Sequence, residues 1–396
     1  MKKEKTLLLA LPVLLGFFVM GFCDIVGRAS DYVQEAFGWS NAVTGLVPSM
    51  VFIWFLLLGV PAGVAMNRWG RKNTVLVSMA ITIVGMIIPL LLYNSATCMV
   101  AFALLGIGNA ILQVSLNPLV KNVLTNERLL ASALTAGQVV KAVSSFVGPY
   151  ILLLGVNALG GGDAGRWYYC FPIMGAITLL SAAWLAATPL PREERAGKDG
   201  TSLAGSLALL GDRTILVLFL GIFFVVGVDV AMNFISSKVM ITRFAWGKEA
   251  DIAPQLYFIA RTAGALLGAF LMTRVAGRVY FKWSIATAIA ALLLLALGKG
   301  ETTSLAAIAA VGFSCSCIFS IIYAMAVTAR PDKTNEVSGL MITAIAGGAV
   351  VTPVLGLAMD AAGIEGGIAV ILACACYLAW CAFGIPARKR EGDVLA

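Results

Sequence analysis

The sequence predicts an all-α membrane protein, with twelve transmembrane helices in two pseudo-symmetric six-helix bundles. Three observations lead there: the apolar runs, the placement of the basic residues, and an internal repeat at an offset near 206 residues. Of the 396 residues, 60% are hydrophobic and 12% charged, against about 25% charged in an average soluble domain. The apolar excess runs the whole length, which excludes a soluble protein with one anchor.

Crossing the hydrocarbon core as a helix takes about 20 apolar residues. Such runs fall near 7–27, 42–66, 73–93, 97–123, 130–155 and 167–188, then near 214–238, 252–273, 283–299, 302–327, 337–360 and 366–386. The first follows Met1-Lys2-Lys3-Glu4-Lys5. It is read as an uncleaved helix rather than a signal peptide, because it is long enough to span and many spans follow.

The basic residues orient the chain. Lys2, Lys3, Lys5, Arg68, Arg71, Lys72, Arg128, Arg192, Arg195, Lys198, Arg213, Arg274, Arg278, Lys282, Arg330, Lys333, Arg388, Lys389 and Arg390 collect on one side. Arg28, Arg166, Arg243, Lys248 and Lys299 scatter on the other. This bias predicts a multi-pass protein of the cytoplasmic (inner) membrane with both termini cytoplasmic. Trp39, Trp167 and Trp246 then belong near the outer interface, Trp69 and Trp283 near the inner one. The long polar connection at 189–213 divides an N-terminal bundle, 1–188, from a C-terminal bundle with a short cytoplasmic tail, 214–396. Within it, Ser202 to Leu210 is apolar enough to lie along the membrane surface.

The net charge of +8 sits in short clusters between apolar runs, where it acts on orientation rather than on nucleic acid. There is no histidine, so proton handling falls to carboxylates or lysine. In Cys315/Cys317 and Cys374/Cys376 a C-x-C spacing on a helix turns the two sulfurs to different faces, so no metal site is expected and the cysteines read as small buried packers. No G-x-S-x-G elbow, P-loop or H-E-x-x-H occurs. Neither an enzyme nor a cofactor is expected.

The halves repeat. Asp24 is matched by Asp229, 205 residues on; Arg68, Gly70 and Arg71 by Arg274, Gly277 and Arg278, at 206–207; Gly106 by Gly312, at 206; Pro149 by Pro353, at 204. Parallel halves around a midplane site are one of the known transporter plans. Gly63-Val64-Ala65-Met66-Asn67-Arg68-Trp69-Gly70-Arg71-Lys72 resembles the loop 2–3 signature of the major facilitator superfamily, G-x-x-x-(D/N)-R-x-G-R-(K/R). The resemblance implies a structural gate built from Gly63, Asn67, Arg68, Gly70, Arg71 and Lys72, which holds the outward-open state.

A finer resemblance is to the fucose permease group of sugar/cation symporters. It is carried by Met341-Ile342-Thr343-Ala344-Ile345-Ala346-Gly347-Gly348-Ala349-Val350-Val351-Thr352-Pro353-Val354-Leu355-Gly356 with Asp360-Ala361-Ala362-Gly363, by Asn117-Pro118, by Gln138, and by Ala260-Arg261-Thr262-Ala263-Gly264. It implies a coupling-ion role for Asp24, which matches the group's helix 1 aspartate. Lys141 stands where the resembling transporters have a cavity asparagine, Gln113 where they have a carboxylate, and Asp229 near their glutamine.

A charge at mid-bilayer costs about 2.5–3.5 kcal/mol on insertion scales, so each one in a span needs a reason. A buried carboxyl favours its neutral form, which suits Asp24 to proton loading; a local pair with Arg28 is the plain alternative. Lys141 lies on a polar face with Gln138, Ser144 and Ser145. It can meet sugar hydroxyls, an anionic group or Asp24. Gln113 and Asn117 share a face, as do Asp229 and Asn233. An Asp229–Arg261 pair would neutralise both charges, and Tyr257 lies one turn from Arg261. Gln113, Asn117, Gln138, Lys141, Asp229, Asn233, Tyr257 and Arg261 are therefore the substrate-binding candidates.

The expected activity is secondary active transport: proton-coupled symport of a sugar or related small polar solute by alternating access. The implied partners are that solute, a proton (or sodium) and the lipid bilayer, with the chain working as a monomer. Two alternatives stand beside it. One is a proton-coupled exporter of drugs or metabolites, whose helix 5 signature is only hinted at by Gly148-Pro149. The other is a sodium-coupled transporter of sugars or organic anions.

Overall fold

Hydrocarbon offers no hydrogen bonds to the backbone, so an apolar run that enters it must satisfy its own N–H and C=O groups as a helix. The computed structural model describes residues 2–39, 41–124, 129–190 and 202–384, and each predicted run becomes helical. Helix α1 spans Lys2–Gly21 and continues beyond a 3-10 turn, Phe22–Ile25, as Val26–Phe37. Then come α2 (Asn41–Trp69), α3 (Arg71–Leu91), α4 (Ser95–Val123), α5 (Leu130–Leu154) and α6 (Cys170–Ala187).

A short helix, Leu203–Ala208, opens the second half, in the stretch expected to lie along the membrane. It is followed by α7 (Arg213–Phe244), α8 (Ile252–Leu271) and α9 (Gly277–Leu297). Helix α10 runs Glu301–Cys315 and resumes as Ile318–Ala329. Helix α11 runs Thr334–Thr343 and resumes after a 3-10 turn within Gly347–Gly384. That last segment breaks at Ala362 and Gly363, so 347–361 completes α11 and 364–384 forms α12. The charged stretch 191–201, Arg128 and the tail from 385 lie outside the described residues. So do the side chains of the N-terminal lysines, Asp24, Arg28, Pro149 and Lys248.

Three features differ from the hydropathy reading. Helix α7 runs to Phe244 instead of 238, and α9 starts at Gly277 instead of 283. Both misplaced ends carry basic residues, which lower a hydropathy window although long side chains lie along apolar surface with their charge turned outward. Lys282, for example, rests its ammonium 5.3 Å from the Phe383 ring. Trp167, expected at the interface, is fully buried, and its indole N–H donates to the Tyr93 hydroxyl at 2.9 Å. All eight cysteines are free thiols, and Cys376 is the exposed one.

In the first bundle α1 packs on α4, α5 and α6, while α2 and α3 flank α4. In the second, α7 lies along α11 and α12, α8 packs on α10, and α9 packs on α10. The bundles meet through α2 against α11 and α5 against α8. Since α8 and α11 are the helices that cross, the α7 surface between them faces the space between the bundles.

Helix α7 begins at a polar staple. The Asp212 carboxylate accepts from the Thr214 backbone N–H at 2.9 Å and pairs with Arg330 at 2.6 Å, tying α7 to the α10–α11 turn. Partial burial raises the Asp212 pKa, but the Arg330 and Thr214 hydrogen bonds outweigh it and hold the carboxyl below its ordinary value. A carboxyl depressed in the fold stabilises above its unfolded pKa and loses that contribution as pH falls through the folded value. Asp212→Ala is therefore expected to cost about 1 kcal/mol, chiefly the helix cap. Thermal unfolding in detergent should show the deficit at pH 7 and show it vanish at acid pH below the ordinary carboxyl range.

Candidate functional site

The turn between α2 and α3 organises one membrane face, called here the signature face. Gly70 holds φ +81°, ψ 156° there, a backbone conformation that side chains with a Cβ avoid. The turn so made aims Arg71 and Lys72 in different directions. Arg71 donates from Nε to Asn335 Oδ1 at 2.7 Å, and from Nη1 to Asn122 Oδ1 at 2.5 Å and the Pro118 carbonyl at 3.4 Å. Lys72 donates to the carbonyls of Ala186 and Thr188 at 2.8 and 2.9 Å, capping the end of α6. Arg68 is exposed.

One turn back on α2, Asn67 bridges the bundles. Its Nδ2 donates to Glu336 Oε1 at 2.8 Å, and its Oδ1 accepts from Asn335 Nδ2 at 2.8 Å. These bonds form because the backbones nearly touch: a Cβ on Gly63 would stand 2.7 Å from the Asn335 carbonyl oxygen and 3.2 Å from the Gly339 Cα. Ser338 donates to the Val114 carbonyl of α4 at 2.7 Å, and across the other contact between the bundles Ser132 of α5 donates to the Ala269 carbonyl of α8 at 2.5 Å. Bonds between α2 and α11, α4 and α11, and α5 and α8 thus close the signature face. Each neutral bond is worth about 0.5–1.5 kcal/mol net, enough to hold a state and weak enough to release it.

Further from that face, α7 and α8 hold the charged cluster. Arg261 Nε pairs with Asp229 Oδ1 at 2.9 Å, and the fully buried Tyr257 donates its hydroxyl to the same oxygen at 2.7 Å. Arg261 and Asp229 keep 38% and 25% of their side-chain surface. Asn233, one turn on along α7, is exposed.

In the first bundle Gln113 and Asn117 are both buried, and neither the Nδ2 nor the Oδ1 of Asn117 has a partner among the described residues. Buried polar atoms are nearly always bonded, and an unmet one costs about 1–3 kcal/mol. Gln138 and Lys141 on α5 are half-buried. A Cβ on Gly21 would stand 2.6 Å from the Lys141 carbonyl oxygen, so the α1 backbone just ahead of Asp24 presses on the turn that carries Lys141. The side chain of Asp24 itself is outside the described set.

Toward the opposite face lies an open cleft of about 500 Å³ between α7, α8 and α11. Among its lining residues are Asn233, Lys238 and Thr352. Sequence reasoning passed over Lys238 because the apolar run was ended at that residue. It also passed over Asn335, Glu336 and Ser338, the residues of α11 that bond to Asn67, Arg71 and the Val114 carbonyl. The available signal was a carboxylate immediately before the run at 337–360; in the structure Glu336 is 3% exposed.

Two helical bundles that meet on one membrane face, and enclose polar side chains short of the other, have the build of a membrane transporter. The sequence model of the Major Facilitator Superfamily matches residues 12–353, and the chain belongs to that superfamily. The glucose/galactose transporter of Brucella abortus biovar 1 (strain 9-941) is 26% identical over 399 residues, covering 94% of this chain and 92% of that one. Among solved structures, FucP in the outward conformation shares the fold at a TM-score of 0.82 and 20% identity, over 93% of this chain and 97% of that one. The proton:xylose symporter XylE does so at 0.73 and 13%, over 96% and 95%.

Proposed function

We propose that the chain is a proton-coupled symporter of a neutral or acidic monosaccharide, working by alternating access as a monomer in the cytoplasmic membrane. In this reading the bundles are 1–188 and 214–396, joined by the linker 189–213. The signature face and both termini are cytoplasmic, so the conformation described is outward-facing. The observation that carries it is the pairing of a latched signature face with interior polar groups that are unmet among the described residues, Asn117 above all. Such groups gain partners when substrate arrives or the bundles rock. The glucose/galactose relative and the proton:xylose symporter of like fold support a sugar as cargo and a proton as coupling ion.

Asp24 is the proposed coupling carboxylate, Gln138 and Lys141 the substrate contacts on α5, and Gln113 and Asn117 those on α4. Asp229, Asn233, Tyr257 and Arg261 supply the second wall. One charge moved across 100 mV contributes about 2.3 kcal/mol, or about fifty-fold accumulation. Proteoliposomes with an acid-outside gradient should accumulate labelled D-galactose or D-glucose, and a protonophore should abolish it. Asp24→Asn is expected to remove gradient-driven accumulation while counterflow exchange survives. Accumulation that follows sodium and ignores pH would move the coupling to sodium. The absence of any monosaccharide flux would defeat the reading.

A further inference from the structure

We infer that the cleft between α7, α8 and α11 is a docking site for the carboxylate of an anionic sugar, with Lys238 as its counter-ion. The inference rests on the sugar-transport reading and names a substrate class within it.

Lys238 is six residues short of the end of α7 at Phe244, about 9 Å along the helix axis. It therefore belongs to the wall of the cleft and not to its rim. Its ammonium does not run outward but sits 4.7 Å from the centroid of the Phe234 ring, one turn back. Among the described residues no carboxylate pairs with it. Arg261 of α8, which is not among the lining residues, pairs with Asp229. Among the described residues the cleft accordingly presents the Lys238 ammonium without a paired carboxylate.

Its remaining polar groups suit a hydroxylated ring. Asn233 and Ser237 are four residues apart and share one face of α7. Both line the cleft with Lys238 and Thr352, and neither is bonded to another described residue. The Thr352 hydroxyl gives its hydrogen to the Gly348 carbonyl at 2.8 Å and keeps its lone pairs for a donor. Phe234 and Pro254 supply apolar surface beside them. The volume, about 500 Å³, falls within the range of about 300–1,000 Å³ usual for small-molecule clefts. A lone ammonium balances a monoanion. A sugar phosphate, a dianion, would leave a charge unmatched, so the chemistry favours a carboxylate.

The test compares labelled D-galacturonate with D-galactose in proteoliposomes holding the full chain, with Lys238→Gln and Lys238→Arg alongside. Galacturonate is expected to be carried with the lower KM. Lys238→Gln should raise that KM about tenfold and shift the preference between acid and neutral sugar by a similar factor, and Lys238→Arg should restore most of both. A wild-type chain that carries galactose but no uronate overturns the inference and leaves sugar transport standing. So does a Lys238→Gln chain, shown folded by thermal unfolding, whose galacturonate KM is unmoved. A chain that carries neither sugar defeats both readings.

Discussion

Replacing Gly63 by valine should open the signature face and cut transport about tenfold or more. The added carbons have nowhere to go, because the first of them would stand 2.7 Å from the Asn335 carbonyl and 3.2 Å from the Gly339 Cα. Overfilling a packed contact costs about 1–3 kcal/mol, and each 1.4 kcal/mol is about a factor of ten in an equilibrium between states. The cost falls only on the conformation in which α2 and α11 touch, so the balance moves to the one in which they part. Asn67, Asn335 and Glu336 then lose their bridging bonds together. Spin labels at Asn73 and Asp332, both exposed on that face, should report a longer distance. Cys376 must first be replaced, since it is the exposed thiol. An unchanged distance with full transport would show that the contact is not a gate.

Breaking the Asp229–Arg261 pair should rank next. Asp229→Asn takes the carboxylate on α7 away from the Arg261 guanidinium, and Arg261→Gln takes the guanidinium away from a carboxylate that still accepts from Tyr257. Removing one partner of a fully buried pair costs about 3–5 kcal/mol. Arg261 is 38% exposed and Asp229 25%, so solvent screening lowers the expectation to about 1–3 kcal/mol each. Thermal unfolding in detergent should fall by several degrees in either single variant, and the double variant should regain most of that loss. A double variant no more stable than the singles would mean that each charge serves a separate partner. Transport should stay impaired in all three, because Tyr257 also gives its hydroxyl to Asp229 and loses its anchor when the cluster changes.

Much of this architecture was readable before any coordinates. Helix count follows from hydropathy because a membrane forbids alternatives to the helix. The stretch from Gly63 to Lys72 singled out residues that do meet α11, since Asn67 and Arg71 bond to Asn335 and Asn67 to Glu336. The pairing of Asp229 with Arg261 was legible from the cost of a lone charge in hydrocarbon, together with the helix order. Other features were not legible. Hydropathy treats Lys238 as the end of a span, because it scores a side chain without knowing whether that chain faces lipid or a wet cleft. Nothing local to α11 says that Asn335 and Glu336 face Asn67, because the bond joins residues 268 and 269 apart in the chain.

The sequence by itself determined that this is a twelve-helix membrane protein of two repeated halves, which side its charges favour, and which polar residues the membrane must tolerate for a reason. Those are consequences of local composition and of a solvent that penalises every unmet polar group. Only the tertiary structure decided which of those groups find partners: Asp229 with Arg261 and Tyr257, Asn67 with Glu336, and Asn117 with none among the described residues. The reason is that such partners come from other helices. Their approach is set by packing around glycines such as Gly63 and Gly339, and no single span encodes that approach.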